Sequence, residues 1–388
     1  MTVYLDHAAT TPLRPEVLEA MEPYLTEHFG NPSSIHGTGR RARLGLDEAR
    51  ESVARVLGAK PREIVFTGGG TEADNLAVKG AAWAASARGR ELVVSSVEHK
   101  AVTHSVAVMQ RFGFNVTWLA VDRYGRVDPA DVEAAIGEHT TLVSVMYANN
   151  EVGTIQPIAE IGAICRRRKV LLHVDAIQAA GFLPLAVDPL GVDLLSLSAH
   201  KLNGPKGVGA LFVRQGTAML AQLSGGSQER QRRAGTENVA GIVGFAQALE
   251  LAQAERAAEG ARLSALRDLL IGEMTSEQGV SLSGHPVERL PNNASFLFDG
   301  VEGGDLVAAL DLEGVAASTG SACTTGSADP SHVLLAMGIE PAAAHGSLRL
   351  TLGRGSTEED VRLTVEATRR VLARMRGAGE RRPEVASV

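Results

Sequence analysis

Lys201 stands in Ser198-Ala199-His200-Lys201-Leu202-Asn203-Gly204-Pro205, between an apolar run and a glycine–proline turn. The run before it, residues 191–197, reads as a short buried strand, so the lysine lies just past a rigid strand end. An amine that condenses with a cofactor aldehyde needs such a place, partly desolvated and held still. Upstream, Lys169-Val170-Leu171-Leu172-His173-Val174-Asp175 is a second apolar run, and it ends in a carboxylate. Pyridoxal 5′-phosphate asks for this pair: a lysine for its aldehyde, and an Asp that keeps its ring nitrogen protonated as an electron sink. A lone lysine after a strand is ordinarily a surface residue. Asp175, together with a glycine turn upstream, weighs against that reading.

The glycine turn is Phe66-Thr67-Gly68-Gly69-Gly70-Thr71-Glu72, which follows an apolar strand and opens a helix. Glycines let backbone amides approach an anion, and a helix N-terminus adds free N–H groups. Its spacing matches neither a P-loop nor a dinucleotide fingerprint. His99, in Ser95-Ser96-Val97-Glu98-His99-Lys100, also follows a strand. Its flat ring can stack on a cofactor ring and move protons, and it can equally cap the next helix. His99 and His104 fall on different helix faces, which argues against a metal pair.

The elements that must position these groups alternate. Apolar runs at 63–66, 92–96, 116–120, 142–147, 170–174, 194–197 and 209–213 are separated by amphipathic stretches, with helices expected at 71–88, 129–136 and 157–167. That rhythm predicts an α/β layer around a mostly parallel sheet, whose ligands collect at strand carboxyl ends. An alanine- and leucine-rich stretch at 238–277 reads as one or two helices leading to a smaller α+β unit. That unit has strands at 280–283, 294–298 and 347–352 and helices at 304–312 and 357–376, and residues 377–388 form a polar tail.

With 388 residues, 44% apolar and 21% charged, the chain can bury a large core and suits two domains. A net charge of −7 disfavours nucleic acid as the main ligand; Arg166-Arg167-Arg168-Lys169 reads as a solvated helix end. No apolar run is long enough for a bilayer, no export signal opens the chain, and two cysteines exclude a disulfide framework. A reducing, cytoplasmic setting is therefore expected. Cys165, inside Ile161-Gly162-Ala163-Ile164-Cys165, reads as a small buried hydrophobe. Cys323, in a loop of small residues, reads as a reactive thiol.

Taken together and in order, several motifs resemble the NifS/IscS-type (group I) cysteine desulfurases of the class V, fold-type-I pyridoxal-phosphate enzymes. They are Tyr4-Leu5-Asp6-His7-Ala8-Ala9-Thr10-Thr11-Pro12, Gly70-Thr71-Glu72, Glu98-His99-Lys100, Asn149-Asn150-Glu151-Val152-Gly153, Val174-Asp175-Ala176-Ile177-Gln178, Ser198-Ala199-His200-Lys201, Arg233-Ala234-Gly235-Thr236 and Gly320-Ser321-Ala322-Cys323-Thr324. The resemblance runs essentially end to end. It implies a large cofactor-binding domain with a seven-stranded sheet at 13–256, and a small domain at 1–12 and 257–388 that carries the cysteine loop at 318–331.

By the same resemblance, Lys201 binds the cofactor aldehyde, Asp175 the pyridine nitrogen and Gln178 the phenolic oxygen. His99 stacks on the ring, and Gly70, Thr71, Ser198 and His200 cradle the phosphate. Thr236 reaches the phosphate of a second subunit, which implies a homodimer. Asn150 and Arg349 hold the substrate carboxylate, for which the planar fork of an arginine is suited. The implied activity is conversion of L-cysteine to L-alanine, with sulfur passed to Cys323 as a persulfide and then to an acceptor such as an iron–sulfur scaffold or a tRNA-thiolation protein. No resident metal is implied, although Cys323 is a candidate iron–sulfur ligand during transfer. A selenocysteine lyase or transaminase of the same fold is the alternative enzyme reading; a sulfur-relay hub with a structural cofactor is the reading from another class.

Overall fold

The computed structural model describes residues 2–320 and 330–379. The expected reactive Cys323 and most of its loop lie outside the described residues.

Among the described residues the strands are β1 (Val3–Tyr4), β2 (Ile64–Thr67), β3 (Glu91–Ser95), β4 (Asn115–Leu119), β5 (Thr140–Ser144), β6 (Leu171–Asp175), β7 (Leu194–Ser198), β8 (Gly209–Val213), β9 (Val280–Ser283), β10 (Asn293–Phe298), β11 (Val315–Ala316) and β12 (Ser347–Thr351). Seven of them form one sheet in the order β2-β8-β7-β6-β5-β3-β4. It is parallel except for β8, which runs antiparallel to both of its neighbours, β2 and β7. The apolar runs read from the sequence are these seven strands, within about two residues. β5, β7 and β8 are buried throughout, as expected of strands covered on both faces. One apolar layer packs on each side of the sheet, one containing Val93, Val143 and Phe212, the other Leu92, Leu142 and Leu211.

The antiparallel step matters for function. Because β7 and β8 are neighbours of opposite direction, the chain between them is a tight return, and Lys201 sits in it. A 3₁₀ turn, Ala199–Lys201, closes through Leu202 N–H donating to the Ala199 carbonyl at 2.9 Å.

The segment read as one helix over 71–88 is interrupted. It begins as α-helix Gly70–Asn75, widens into a π turn at Leu76–Gly80 and ends as α-helix Ala81–Ala84. The Gly80 carbonyl accepts the Leu220 N–H at 3.1 Å, and a β-carbon on Gly80 would lie 2.8 Å from the Leu220 oxygen. Tertiary contact with the 217–223 segment thus competes with the regular helical ladder.

Residues 238–277 hold a single 37-residue helix, Val239–Thr275, about 55 Å long at 1.5 Å per residue. Asn238 caps it, accepting the Gly241 N–H. Its first half packs into the core of the large sheet through Ile242, Phe245 and Leu249. Its second half packs into another core through Leu263, Leu270 and Met274. That second core covers the antiparallel sheet β12-β10-β9 and includes Val3 and Leu5 from the N-terminus. β1 pairs in parallel with β11, so the first residues are stitched to the C-terminal part of the chain. No helix among the described residues is long and apolar enough to cross a membrane.

Candidate active site

At the carboxyl ends of β2, β6 and β7 lies a cavity of about 1000 Å³. Gly70, Thr71, His99, Asn150, Asp175, Gln178, Ser198, His200, Lys201 and Arg349 all line it. Ten positions spread over 280 residues of sequence therefore meet in one place. Thr236 is exposed on another loop and does not line this cavity. Gly320, the last described residue before the cysteine loop, does.

The anion end is built by the glycine turn. Gly69 has φ +146°, a backbone conformation that side-chain-bearing residues rarely adopt. A β-carbon on Gly70 would lie 2.2 Å from Ile177 Cδ1. Glu72 folds back so that its Oε2 accepts the Gly68 N–H at 2.6 Å, and Arg233 pairs with the other oxygen at 2.9 Å. The first amide bonded within this helix is that of Ala73, on the Gly69 carbonyl, so the N–H groups of Gly70, Thr71 and Glu72 at its start have no partner in it. The Ser198 hydroxyl is buried without a partner beside them, an orphan that a phosphate oxygen would satisfy.

The ring end is framed by Asp175 and His99. Asp175 ends β6 and accepts the Ile177 N–H at 2.9 Å, which fixes its carboxyl. Burial, and then the nearby Asp74, push its pKa up to about 8. A cationic ring nitrogen is the partner that would relieve this. His99 caps the next helix, its Nδ1 accepting the Ala101 N–H at 3.1 Å at the start of helix Lys100–Arg111, and its ring lines the cavity. Burial, followed by Lys201, lowers its pKa to about 4, so it is neutral at pH 7 with its proton on Nε2.

Lys201 Nζ donates to the carbonyls of Ala8 and Ala9, the latter at 2.6 Å. Gln178 Nε2 donates to the Ala8 carbonyl at 3.0 Å. His200 Nδ1 lies 3.2 Å from the Thr10 hydroxyl, and its carbonyl accepts the Thr11 N–H. The motif at residues 4–12 is thus a wall of the site. It is anchored to β12 by Ala8 N–H on Thr351 Oγ1 at 2.9 Å and by Asp6 on Arg349 at 2.9 Å. Arg349 also donates to the Asn150 carbonyl at 3.1 Å, and its Nε is buried without a partner.

Four acids, three of them buried, were not read as site residues from the sequence. Glu98 accepts the Met146 N–H at 2.7 Å, and burial raises its pKa well above the usual carboxylate range. Glu151 accepts from the Ser331 hydroxyl and is pushed up to about 7, chiefly by burial. Asp6 orients Arg349, and Asp74 lies behind Asp175. Glu98 and Glu151 stand inside quoted motifs, just past strand ends, which was the signal available. Asp74 gave none beyond its place four residues after Gly70 in a helix. Cys165 is buried, and burial raises its thiol pKa to about 12, which matches an inert core residue.

These groups fit pyridoxal 5′-phosphate: a glycine cradle in which a β-carbon at position 70 would press on the Ile177 side chain, an orphaned hydroxyl at the anion end, a carboxyl for the ring nitrogen and an amine. Comparison with known proteins agrees. The aminotransferase class-V family model matches residues 3–363. The chain is 52% identical to cysteine desulfurase IscS of Dictyoglomus turgidum over 96% of this chain and 95% of that one. It is 49% identical to cysteine desulfurase IscS of Methanosarcina thermophila over 98% and 95%. Among solved structures, a NifS-like protein superposes with TM-score 0.91 at 38% identity, covering 96% of this chain and all of that one. A structure described as SspA in complex with cysteine gives TM-score 0.80 at 35% identity, covering 91% and 99%.

Proposed function

The chain belongs to the aminotransferase class-V family, and from that premise we propose that it is a cysteine desulfurase whose working groups are Lys201, Asp175, His99, Arg349 and Cys323. The observation that carries the assignment is the convergence of Lys201, Asp175 and Arg349 on one cavity. Pyridoxal 5′-phosphate, when bound, supplies an electron sink for the carbon from which a proton is removed.

The chain's own residues do the rest. Arg349 and Asn150 bind the substrate carboxylate, and Asp6 keeps the guanidinium aimed. Gly70, Thr71, Ser198 and His200 hold the phosphate, Asp175 holds the ring nitrogen and Gln178 the phenolic oxygen. Lys201, set between the Ala8 and Ala9 carbonyls, takes the α-proton of cysteine as general base. His99 covers the ring as a neutral imidazole. The Cys323 thiolate attacks the substrate sulfur. The sulfur–carbon bond breaks, its electron pair goes to the carbon skeleton, a proton is added there, and alanine leaves. Sulfur remains on Cys323 as a persulfide.

We further propose a boundary between two domains near residue 256, supported by the two cores on the two halves of helix Val239–Thr275. Thr236, exposed here, reaches the phosphate site of a second copy in a homodimer. A sulfur-accepting protein such as an iron–sulfur scaffold takes the persulfide, and the cytoplasm suits this thiol chemistry.

The test is to add L-cysteine and a reductant to the yellow holoenzyme and measure alanine and sulfide together. Equal amounts, abolished by Cys323→Ala, are expected. Alanine formed equally well without Cys323 would overturn the persulfide route and favour a lyase or transaminase.

A further inference from the structure

Behind Asp175, on the side away from the cavity, lies a polar cluster with no access to solvent. Asp74, His173, Ser144, Ser196 and Glu98 are each 0% exposed. His173 precedes Asp175 by two residues on β6, so both side chains leave the same face of the sheet. Ser196 is the register partner of Asp175 on β7. The His173 ring is held at both nitrogens, Nδ1 at 2.9 Å from Ser144 Oγ and Nε2 at 3.0 Å from Ser196 Oγ. Asp74 comes down from helix Gly70–Asn75, the one that begins at the phosphate turn, and its Oδ1 lies 3.5 Å from His173 Nε2. Neither Asp74 oxygen meets a donor in hydrogen-bond geometry, although the Ser196 hydroxyl is near enough to lower its pKa.

Carboxyls buried in this way are costly and persist where a function uses them. The titratable groups around Asp74 are His173 and Asp175 on β6 and Glu98 after β3, with Lys201 acting on Asp175 from the cavity side. Glu98 is engaged by the Met146 amide, and burial raises its pKa well above the usual carboxylate range. Asp74 is the carboxyl behind Asp175 with a donor on neither oxygen. Burial pushes Asp74 up to about 7, and Asp74 is the second cause, after burial, of the raised pKa of Asp175.

We propose that Asp74 is a positioning residue for the cofactor, a buried carboxylate packed beside Ser196 and His173 that sets the field in which Asp175 meets the pyridine nitrogen. The inference rests on the proposed cofactor site. Its logic is electrostatic. An anionic Asp74 adds negative potential at the ring and favours the protonated form of the bound cofactor. The histidine, fixed between two serines, keeps that charge from being satisfied locally.

The readout is the pH midpoint of the visible absorption change of the cofactor-bound protein, recorded without substrate. Asp74→Asn keeps the shape and removes the charge, so the midpoint is expected to fall. For charges roughly 10 Å apart at an effective dielectric constant of about 20, the fall is about one pH unit. Ser196→Ala, which removes the hydroxyl that lowers the pKa of Asp74 and leaves the acid, should move it in the same direction by less, and it supplies the reading if the asparagine variant does not fold. A midpoint unchanged in Asp74→Asn, or in Ser196→Ala where only that variant folds, would overturn the proposal, since Asp74 would then be neutral or unfelt at the ring. Failure of the cofactor site itself looks different: the parent protein would show no visible band at all.

Discussion

Replacing Arg349 by lysine tests the substrate end of the site. Arg349 is 2% exposed and already spends one N–H of Nη2 on Asp6 and one of Nη1 on the Asn150 carbonyl. Nε–H and one N–H on each Nη remain, enough to take a carboxylate with two parallel bonds. A lysine has three donors. Holding Asp6 and the Asn150 carbonyl leaves it one, so the variant loses one charge-assisted bond to the substrate, worth about 1.5–3 kcal/mol. That predicts a fall in kcat/KM for L-cysteine of about 10- to 150-fold. The carboxylate is remote from the breaking carbon–sulfur bond, so the contact is the same in ground and transition states and the loss should fall on KM. The charge facing Asp6 is kept, so the fold should survive, which a thermal melt checks. Cysteamine, which lacks the carboxylate, gives the control: its slow turnover should be nearly the same in both proteins. A change below threefold for cysteine, or an equal loss for cysteamine, would refute the reasoning.

Two further outcomes follow from the geometry. Gly70→Ala places a β-carbon against Ile177 Cδ1, an overpacking that costs about 1–3 kcal/mol; cofactor affinity in absorbance titrations of the apoprotein should fall, and Ile177→Val should restore much of it. Burial raises the pKa of Asp175 to about 8 in the folded chain against an ordinary value of 3.8, so the apoprotein loses stability through this group as pH rises from about 4 to about 8. Asp175→Asn should therefore raise the apoprotein's melting temperature little at pH 5 and progressively more towards pH 8, while weakening cofactor retention; an increment that does not grow with pH would contradict the assigned cause.

What could be read from sequence divides along a physical line. The inner strands of the main sheet were legible because a strand buried on both faces must be a continuous apolar run, and β7 reads Leu-Leu-Ser-Leu-Ser with every residue covered; the largely exposed edge strand β4 was legible from its β-branched and aromatic residues. Site residues at strand ends were legible because the strand fixes where the next polar residue goes, as with Asp175 after β6 and Lys201 after β7. The π turn at Leu76–Gly80 was not, since it is imposed by the Gly80–Leu220 contact between segments 140 residues apart, which local pattern does not encode. The buried acids were hidden for a related reason. Asp74, Glu98 and Glu151 look like ordinary surface charges in sequence, and only tertiary structure turns them inward, where burial raises all three pKa values. Sequence pattern therefore exposes groups that line the cavity, while the buried acids among and behind them become visible only once the chain is folded. Asp74 belongs to the second kind: it stands four residues from the phosphate turn in sequence, and in the fold that same short helix carries it beneath the ring carboxylate. On the proposed reading, that one helix would serve both ends of the cofactor, its N-terminus the phosphate and its inner face the charge of Asp175.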